Sequence, residues 1–160
     1  MSNTIESVED EAGNVITYRR HANGGGLIGR GAKVDDTSFI RPTTYVEARA
    51  SVGSGCRIGA GCWIDRKARI GNGVFIGDAV YVGEGAAVGN NVHIGSHSRI
   101  GARAQIDDGV RLHGDSTVRE GGHISAGSTP TAGSSVTALP HHKLPHHKRP
   151  RRKEQSRNAA

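Results

Sequence analysis

Histidine is the residue type whose chemistry first suggests catalysis in this sequence, because an unperturbed imidazole exchanges its proton near neutral pH. His97 is followed 18 residues later by Asp115, and His93 lies four residues before it. A carboxylate that orients an imidazole makes a general base, which takes a proton from a hydroxyl or an amine. His97, Asp115 and His93 are therefore the residues whose types could support such chemistry. The alternative, which the sequence favours, is a solvated histidine beside an incidental carboxylate.

A six-residue repeat positions these side chains. An aliphatic residue recurs at every sixth position from Ile28 to Ile124 without an insertion. The residue two places before it is small or aliphatic almost throughout, and the residue after it is most often Gly. Residues two apart on a strand share a face, so both apolar positions point inward on short strands joined by tight turns. A helix cannot place every sixth residue on one side, and the repeat therefore predicts an all-β parallel solenoid.

The pattern [I/V]-G-x-x-[A/V]-x over about residues 27–129 resembles the hexapeptide-repeat superfamily. This resemblance implies a single-stranded left-handed parallel β-helix with 18 residues and three flat faces in each coil. His97 and Asp115 then occupy one column on neighbouring coils, so the resemblance implies His97 as the general base with Asp115 as its orienting partner, and His93 as a second candidate. A second, shorter stretch, GNVITYRRHANGGGLIGRGAKV, resembles the N-terminal segment of YdcK-type hexapeptide proteins.

The chain divides into three expected segments. Residues 1–26 contain IESVED-EAGN-VITYRR, which is typical of a hairpin that caps the open first coil. Residues 27–139 form the left-handed β-helix. Residues 140–160 form a disordered tail rich in His, Lys, Arg and Pro.

The 18-residue period also predicts which outward side chains share a column. One column holds Tyr45, Trp63, Tyr81 and Arg99, with Glu47 and Asp65 beside it. A flat apolar stripe usually marks an interface, and the resemblance implies a homotrimer assembled through such a face. The alternative is a ligand platform, sugar-binding in view of the carboxylates. A second column holds Phe39, Arg57, Phe75, His93 and Arg111 and is expected to be partly buried and partly solvated.

The resemblance implies an acyltransferase that uses acetyl-CoA or an acyl carrier protein and a histidine base near a subunit boundary. Such enzymes usually interrupt their coils with a protruding loop, and none occurs between residues 28 and 124. The metal-dependent branch, the γ-class carbonic anhydrases, needs three histidines on a zinc ion together with further signatures that are missing here. No metal site is therefore expected.

The tail carries the excess charge of the chain. Residues 1–140 contain equal numbers of basic and acidic residues, so the net charge of +6 belongs to residues 141–160. The basic side chains predicted to contact a polyanion are Lys143, Lys148, Arg149, Arg151, Arg152 and Lys153. Such a tail binds nucleic acid or other polyanions non-specifically through phosphate neutralisation. A solubilising tail without a dedicated partner is the alternative.

Composition and pattern together favour a rigid scaffold or assembly protein. Hydrophobic residues make up 34% and aromatic residues 4% of the 160 residues, which is too little for an ordinary globular core but enough for a repeat array. The favoured interpretation is a trimeric, cofactor-free scaffold tethered to a polyanion by its tail. The alternative is a hexapeptide acyltransferase that uses acetyl-CoA. No stretch approaches the length of a membrane span and MSNTIESVEDEAGN resembles no signal peptide, so a cytoplasmic location is expected.

Overall fold

The predicted fold is confirmed: the chain is a left-handed parallel β-helix. The computed structural model describes residues 5–126 and 135–136, and within these ranges it contains twenty β-strands and no helix. The strands are β1 (Ile5–Glu9), β2 (Val15–Arg20), β3 (Leu27–Ile28), β4 (Lys33–Val34), β5 (Phe39–Ile40), β6 (Tyr45–Val46), β7 (Ser51–Val52), β8 (Arg57–Ile58), β9 (Trp63–Ile64), β10 (Arg69–Ile70), β11 (Phe75–Ile76), β12 (Tyr81–Val82), β13 (Ala87–Val88), β14 (His93–Ile94), β15 (Arg99–Ile100), β16 (Gln105–Ile106), β17 (Arg111–Leu112), β18 (Thr117–Val118), β19 (His123–Ile124) and β20 (Ser135–Val136). From β3 onward every strand has two residues, because a turn follows in each six-residue repeat.

The aliphatic residue of each repeat lies in the core, since alternate residues of a strand point to opposite sides. Ile64 and Ile94 are fully buried, and so are Cys62 and Val92, which precede them by two places. Stacking of the coils joins these side chains into one continuous core over residues 28–124. Small and β-branched side chains thus hold together a chain that has few aromatic residues.

Two positions in each turn have their own conformational requirements. The residue directly after the aliphatic one lies against the next coil, and a Cβ at Gly95 would clash with the backbone of Gly114. Two residues further on, the backbone is left-handed, with φ of 65° at Gly73. Glycine adopts this conformation without steric cost. His97 and Asp115 hold the same conformation as non-glycine residues, with φ of 61° and 60°.

A constant 18-residue register divides the strands among three faces. Face A consists of β3, β6, β9, β12, β15 and β18, face B of β4, β7, β10, β13, β16 and β19, and face C of β5, β8, β11, β14 and β17. Tyr45 pairs with Trp63 on face A, and Phe75 pairs with His93 on face C. β20 continues face A by pairing with β18. We number the coils from residues 27, 45, 63, 81, 99 and 117, at which the face A strands begin.

A ladder of side chains joins the coils at the corner between faces B and C. Oδ1 of Asn72 accepts the N–H of Ser54 at 2.9 Å, and Oδ1 of Asn90 accepts the N–H of Asn72 at 2.8 Å. Oδ1 of Asp108 extends the ladder to the N–H of Asn90 at 2.6 Å. Each step satisfies a turn amide from the neighbouring coil, and the ladder thereby fixes the register.

The N-terminal hairpin extends face A. β1 pairs antiparallel with β2, and β2 pairs antiparallel with β3. Tyr18 and Val8 pack with Leu27 in a small apolar cluster beside the first coil. His21 is buried, with Nε2 at 2.9 Å from the carbonyl oxygen of Ser38. The hairpin therefore covers the strand edge that the first coil would otherwise expose.

Candidate functional site

Three histidines gather on coils 4 and 5. His93 begins β14 on face C, His97 lies in the corner that follows this strand, and His113 lies in the corner one coil later, two residues before Asp115. We call His93, His97, His113 and Asp115 the histidine corner. The Asp115 amide donates a hydrogen bond to the carbonyl oxygen of Ser96 at 2.9 Å, which stacks one turn on the other. The repeat thus brings together imidazoles that are separated by up to 20 residues in the sequence.

His97 and Asp115 occupy corresponding positions of neighbouring coils, as the period predicts, and both side chains are exposed. Parallel strands are about 4.8 Å apart, so the two residues are neighbours on an open corner. Within residues 5–126 no hydrogen bond joins the two side chains. The orienting contact between them therefore stays a prediction.

His93 has an altered proton affinity. Partial burial, followed by the charges of Arg111 and His113, lowers the pKa of His93. Its ring centroid lies 4.6 Å from that of Phe75. The lowered pKa keeps this imidazole neutral at neutral pH, which is the form able to accept a proton.

A fourth histidine, His123, makes the kind of imidazole–carboxylate contact that the sequence analysis assigned to His97 and Asp115. Nε2 of His123 lies 2.8 Å from Oδ1 of Asp107 on face B. This hydrogen bond is the first cause of the lowered pKa of Asp107, whose other carboxylate oxygen accepts the N–H of Ala126 at 3.2 Å. The signal was the spacing of 16 residues, which places the two side chains in adjacent columns of one face. The pair ties the turn after β19 to the coil before it.

The aromatic column predicted for face A is present and half-buried. The rings of Tyr45 and Trp63 stack with centroids 5.2 Å apart and an interplanar angle of 29°. Tyr18 of the hairpin meets Tyr45 edge-on at 5.3 Å and 79°. Tyr81 and the exposed Arg99 continue the column on the next two coils. The subunit-interface role assigned to this column remains a prediction.

The carboxylate side chains of Glu47 and Asp65, which lie beside that column, are buried. Glu47 is 5% exposed and Asp65 is 8% exposed. The hydroxyl of Tyr18 donates to Oε1 of Glu47 at 2.8 Å, and the hydroxyl of Tyr81 donates to Oδ2 of Asp65 at 2.7 Å. Burial raises the pKa of Glu47. The sequence placed both carboxylates correctly beside the aromatic column but did not reveal their tyrosine partners, because Tyr18 lies outside the repeat and Tyr81 reaches Asp65 from the next coil.

Three further features of the described residues concern metal binding, membrane spans and cavities. The described residues include no group of three or more His, Cys, Asp or Glu side chains placed to hold a metal ion. They also include no helix of the length and apolarity needed to cross a membrane. An open cavity of about 550 Å³ lies on face B, lined in part by Ser51, Ser54 and Asn72. None of its lining residues belongs to the histidine corner.

The predicted polyanion-binding residues lie outside the described residues. They are Lys143, Lys148, Arg149, Arg151, Arg152 and Lys153. The structure therefore has no bearing on the tail.

Two family models match the repeat region. Residues 67–102 match "Bacterial transferase hexapeptide (six repeats)", and residues 91–129 match "Hexapeptide repeat of succinyl-transferase". Together they cover the part of the β-helix that contains the histidine corner. No curated protein sequence matches the chain.

Solved structures similar to the chain include acetyltransferases. The acetyltransferase domain of PglB from Neisseria gonorrhoeae FA1090 matches with a TM-score of 0.62 and 26% identity, over 65% of this chain and 50% of that chain. The same domain in complex with acetyl coenzyme A matches with a TM-score of 0.58 and 26% identity, over 64% and 52%. GDP-perosamine N-acetyl transferase from Caulobacter crescentus, in complex with CoA and GDP-perosamine, shows a likeness of fold, with a TM-score of 0.60 and 23% identity over 61% and 47%. The chain spans about half the length of these three structures.

These comparisons correct the expectation about the cofactor. They also reverse the order of the scaffold and acyltransferase hypotheses. The expectation that no cofactor takes part is wrong, because the PglB acetyltransferase domain, 26% identical to this chain, matches it in a complex with acetyl coenzyme A. Sequence reasoning placed the scaffold first, since uninterrupted coils show no walled acceptor site. The comparisons favour the acyltransferase alternative instead.

Proposed function

Because two hexapeptide-repeat transferase models match this chain between residues 67 and 129, we propose that it transfers an acetyl or other acyl group from acyl-CoA to a hydroxyl or amine acceptor. The observation that carries the proposal is the likeness of 65% of the chain to an acetyltransferase domain, which has also been crystallised with acetyl coenzyme A. The histidine corner supports it from this chain's own residues. Acyl transfer needs a base for the acceptor proton, and the corner supplies imidazoles on an open surface.

His97 is the proposed general base. Its exposed imidazole takes the proton from the acceptor as the acceptor oxygen or nitrogen attacks the acyl carbon. Acyl-CoA, when bound, would supply a thioester whose carbon–sulfur bond breaks as the new acyl bond forms, and the released CoA thiolate would take up the proton held by the imidazolium. Asp115 is a positioning residue that stabilises the imidazolium from the next coil. His93, which its environment keeps neutral, is the alternative base.

Calorimetric titration of the full chain with acetyl-CoA tests the function itself. Saturable micromolar binding, followed by acyl transfer to a simple amine or hydroxyl acceptor, is the expected result. If neither acetyl-CoA binding nor acyl transfer is detected, the acyltransferase hypothesis is refuted and the scaffold hypothesis remains.

His97→Ala tests the base. Loss of a general base lowers kcat by about 10²- to 10⁴-fold, without any change in solution mass. The matched control is His123→Ala, since His123 is an exposed histidine that makes its hydrogen bond on face B. Equal losses in the two variants would refute His97 as the base. Asp115→Asn is expected to lower kcat less and to shift the pH profile of kcat, which a purely structural role would not do.

The proposed assembly is a homotrimer that packs through face A. The stacked rings of Tyr45 and Trp63 are only half-buried within one chain and leave apolar surface for a neighbour. Trp63→Lys is expected to lower the solution mass measured by light scattering. An unchanged trimer would exclude Trp63 from the interface.

A further inference from the structure

The N-terminal hairpin moves the open edge of face A outward to β1. In the nine-stranded sheet that contains face A, β1 is the outermost strand on the hairpin side. It has five residues, whereas the outermost strands at the other sheet ends in the described part of the chain have two residues each. An outermost strand presents backbone N–H and C=O groups along its outer side, and these groups can pair with another strand. Among the described residues, β1 is therefore the longest edge of this kind.

β1 has few of the features with which proteins block such an edge. Its sequence IESVE contains neither Lys nor Pro, which are common on protected edges. Of its two charged residues, Glu6 is neutralised by an ion pair with Arg20 of β2. Ile5, at the start of the strand, is a large hydrophobic residue that is 67% exposed. A long edge with an exposed apolar side chain is typical of a strand that pairs with a further chain.

We propose that β1 pairs antiparallel with β1 of a second copy of this chain. A strand that pairs with its own copy in this way forms a two-fold interface, which closes on itself and does not propagate into a fibre. Full overlap of the strand Ile5–Glu9 with its copy pairs Ser7 with Ser7 and places Ile5 directly opposite Glu9 of the second copy. The two hairpins would then join the face A sheets of the two copies into one continuous sheet.

The charges of β1 favour this register. It places Glu6 opposite Val8, so no carboxylate of one strand directly faces a carboxylate of the other. A pairing centred on Glu6 would instead set this carboxylate against its own copy, which is unfavourable. Within each chain Arg19 of β2 lies beside Ile5 on the same face of the sheet. Glu9 of the second copy therefore lies two strands, or about 9.6 Å, from Arg19, and the two opposite charges attract each other across Ile5.

Charge substitutions at Ile5 test the pairing in the full chain. Ile5→Glu places a carboxylate opposite Glu9 in both halves of the two-fold interface, and Ile5→Lys places an ammonium group there. Like charges directly opposite each other destabilise a strand pair, and opposite charges stabilise it. Ile5→Glu is therefore expected to raise the dissociation constant of the paired copies about tenfold, as measured by analytical ultracentrifugation over a dilution series. Ile5→Lys is expected to leave this constant at or below the wild-type value.

The same two substitutions have the reverse effect inside a single chain, which separates association from folding. Beside Arg19, the carboxylate of Ile5→Glu is attracted and the ammonium group of Ile5→Lys is repelled. A damaged hairpin would therefore weaken association more in Ile5→Lys than in Ile5→Glu. The double variant Ile5→Glu/Glu9→Lys restores opposite charges across the interface and is expected to regain the wild-type dissociation constant. Equal weakening by both substitutions at Ile5, or weakening by Ile5→Lys alone, would overturn the pairing.

Cross-linking provides a second readout, which does not depend on weakening the interface. Ser7→Cys is expected to give a disulfide-linked dimer on mild oxidation, because directly opposite Cα atoms of an antiparallel pair are about 4.5–5.5 Å apart. The matched control is Thr17→Cys, since Thr17 is exposed beside Ser7 on β2. Cys56 and Cys62 are buried and do not compete.

The number of chains in the wild-type assembly is the simplest check. An even number is expected, which is two, or six if the proposed homotrimer also forms. An odd number, or equal cross-linking of Ser7→Cys and Thr17→Cys, would overturn the pairing. These measurements need no cofactor, so their outcome is independent of the proposed acyl transfer.

Discussion

Face A and face C carry aromatic side chains at the same position of the same repeat, yet only face A covers them. On face A the ring of Tyr45 stacks on Trp63 and meets Tyr18 from the hairpin. On face C, Phe39 and Phe75 remain 39% and 43% exposed. The backbone of the two faces is equivalent, so the difference lies in what surrounds the rings.

The turn after each strand explains much of this difference. On face A the residue after the aliphatic position is Glu47 in coil 2 and Asp65 in coil 3, and each accepts a tyrosine hydroxyl. On face C the corresponding residues of coils 2 and 3 are Gly59 and Gly77. Glycine offers no carboxylate to accept a hydrogen bond, and the phenylalanine rings of face C have no hydroxyl to donate one. A repeat thus builds equivalent faces, and single residues decide how far the fold itself covers the rings of each face.

Removal of a ring on each face tests this contrast and has the largest expected effect. Tyr18→Ala deletes a side chain that is 1% exposed and leaves Glu47 without its donor. We expect a loss of about 3–5 kcal/mol in the free energy of unfolding of the hairpin and first coil. Phe75→Ala is expected to cost about 0.5 kcal/mol or less, because its ring is exposed. Urea unfolding and amide hydrogen exchange measure the loss of stability in both variants. Similar losses in Tyr18→Ala and Phe75→Ala would refute the contrast between the two faces.

A smaller effect is expected from the buried carboxylate of face A as the pH changes. Burial raises the folded-state pKa of Glu47 above its unfolded value, against the opposing effect of the Tyr18 hydrogen bond. The favourable contribution of this carboxyl is therefore fully present below the unfolded pKa and is lost as the pH rises through the folded pKa. Glu47→Gln cannot titrate, so its stability relative to the wild type is expected to increase between about pH 4 and pH 8.

Thermal unfolding across this pH range measures the effect. The control is Glu84→Gln, since Glu84 is an exposed carboxylate on the same corner of a later coil. It is expected to follow the pH dependence of the wild type. A constant difference between Glu47→Gln and the wild type would show that the Glu47 carboxyl does not titrate differently in the folded protein.

The fold could be predicted from the sequence because one local pattern determines it. The aliphatic spacing of six fixes which residues of each coil are buried, and the 18-residue register follows from it. The hairpin was also predictable, since its strands alternate around EAGN. The contact of Tyr18 with Glu47 was not, because these residues are 29 positions apart and one of them lies outside the repeat.

For the candidate site, the sequence could predict only which residues share a column of the repeat. The period placed His97 beside Asp115 and listed the residues of faces A and C in their correct order. It did not determine exposure, because Glu47 and Phe75 both occupy positions that the repeat turns outward, and only the former is buried. It also missed the contact of His123 with Asp107, which joins two adjacent columns. Side-chain direction and partners from other columns decide these features.

The effect of the Arg111 charge on face C is tested by the pKa of His93. The change in this pKa is the smallest effect that we predict. Partial burial lowers the pKa of His93 first, and the neighbouring charge of Arg111 lowers it further. Arg111→Gln removes that charge, so the His93 pKa is expected to rise, as measured by NMR titration of the imidazole protons. Arg69→Gln on face B should leave the titration unchanged. Identical titrations in the two variants would mean that Arg111 does not act on His93.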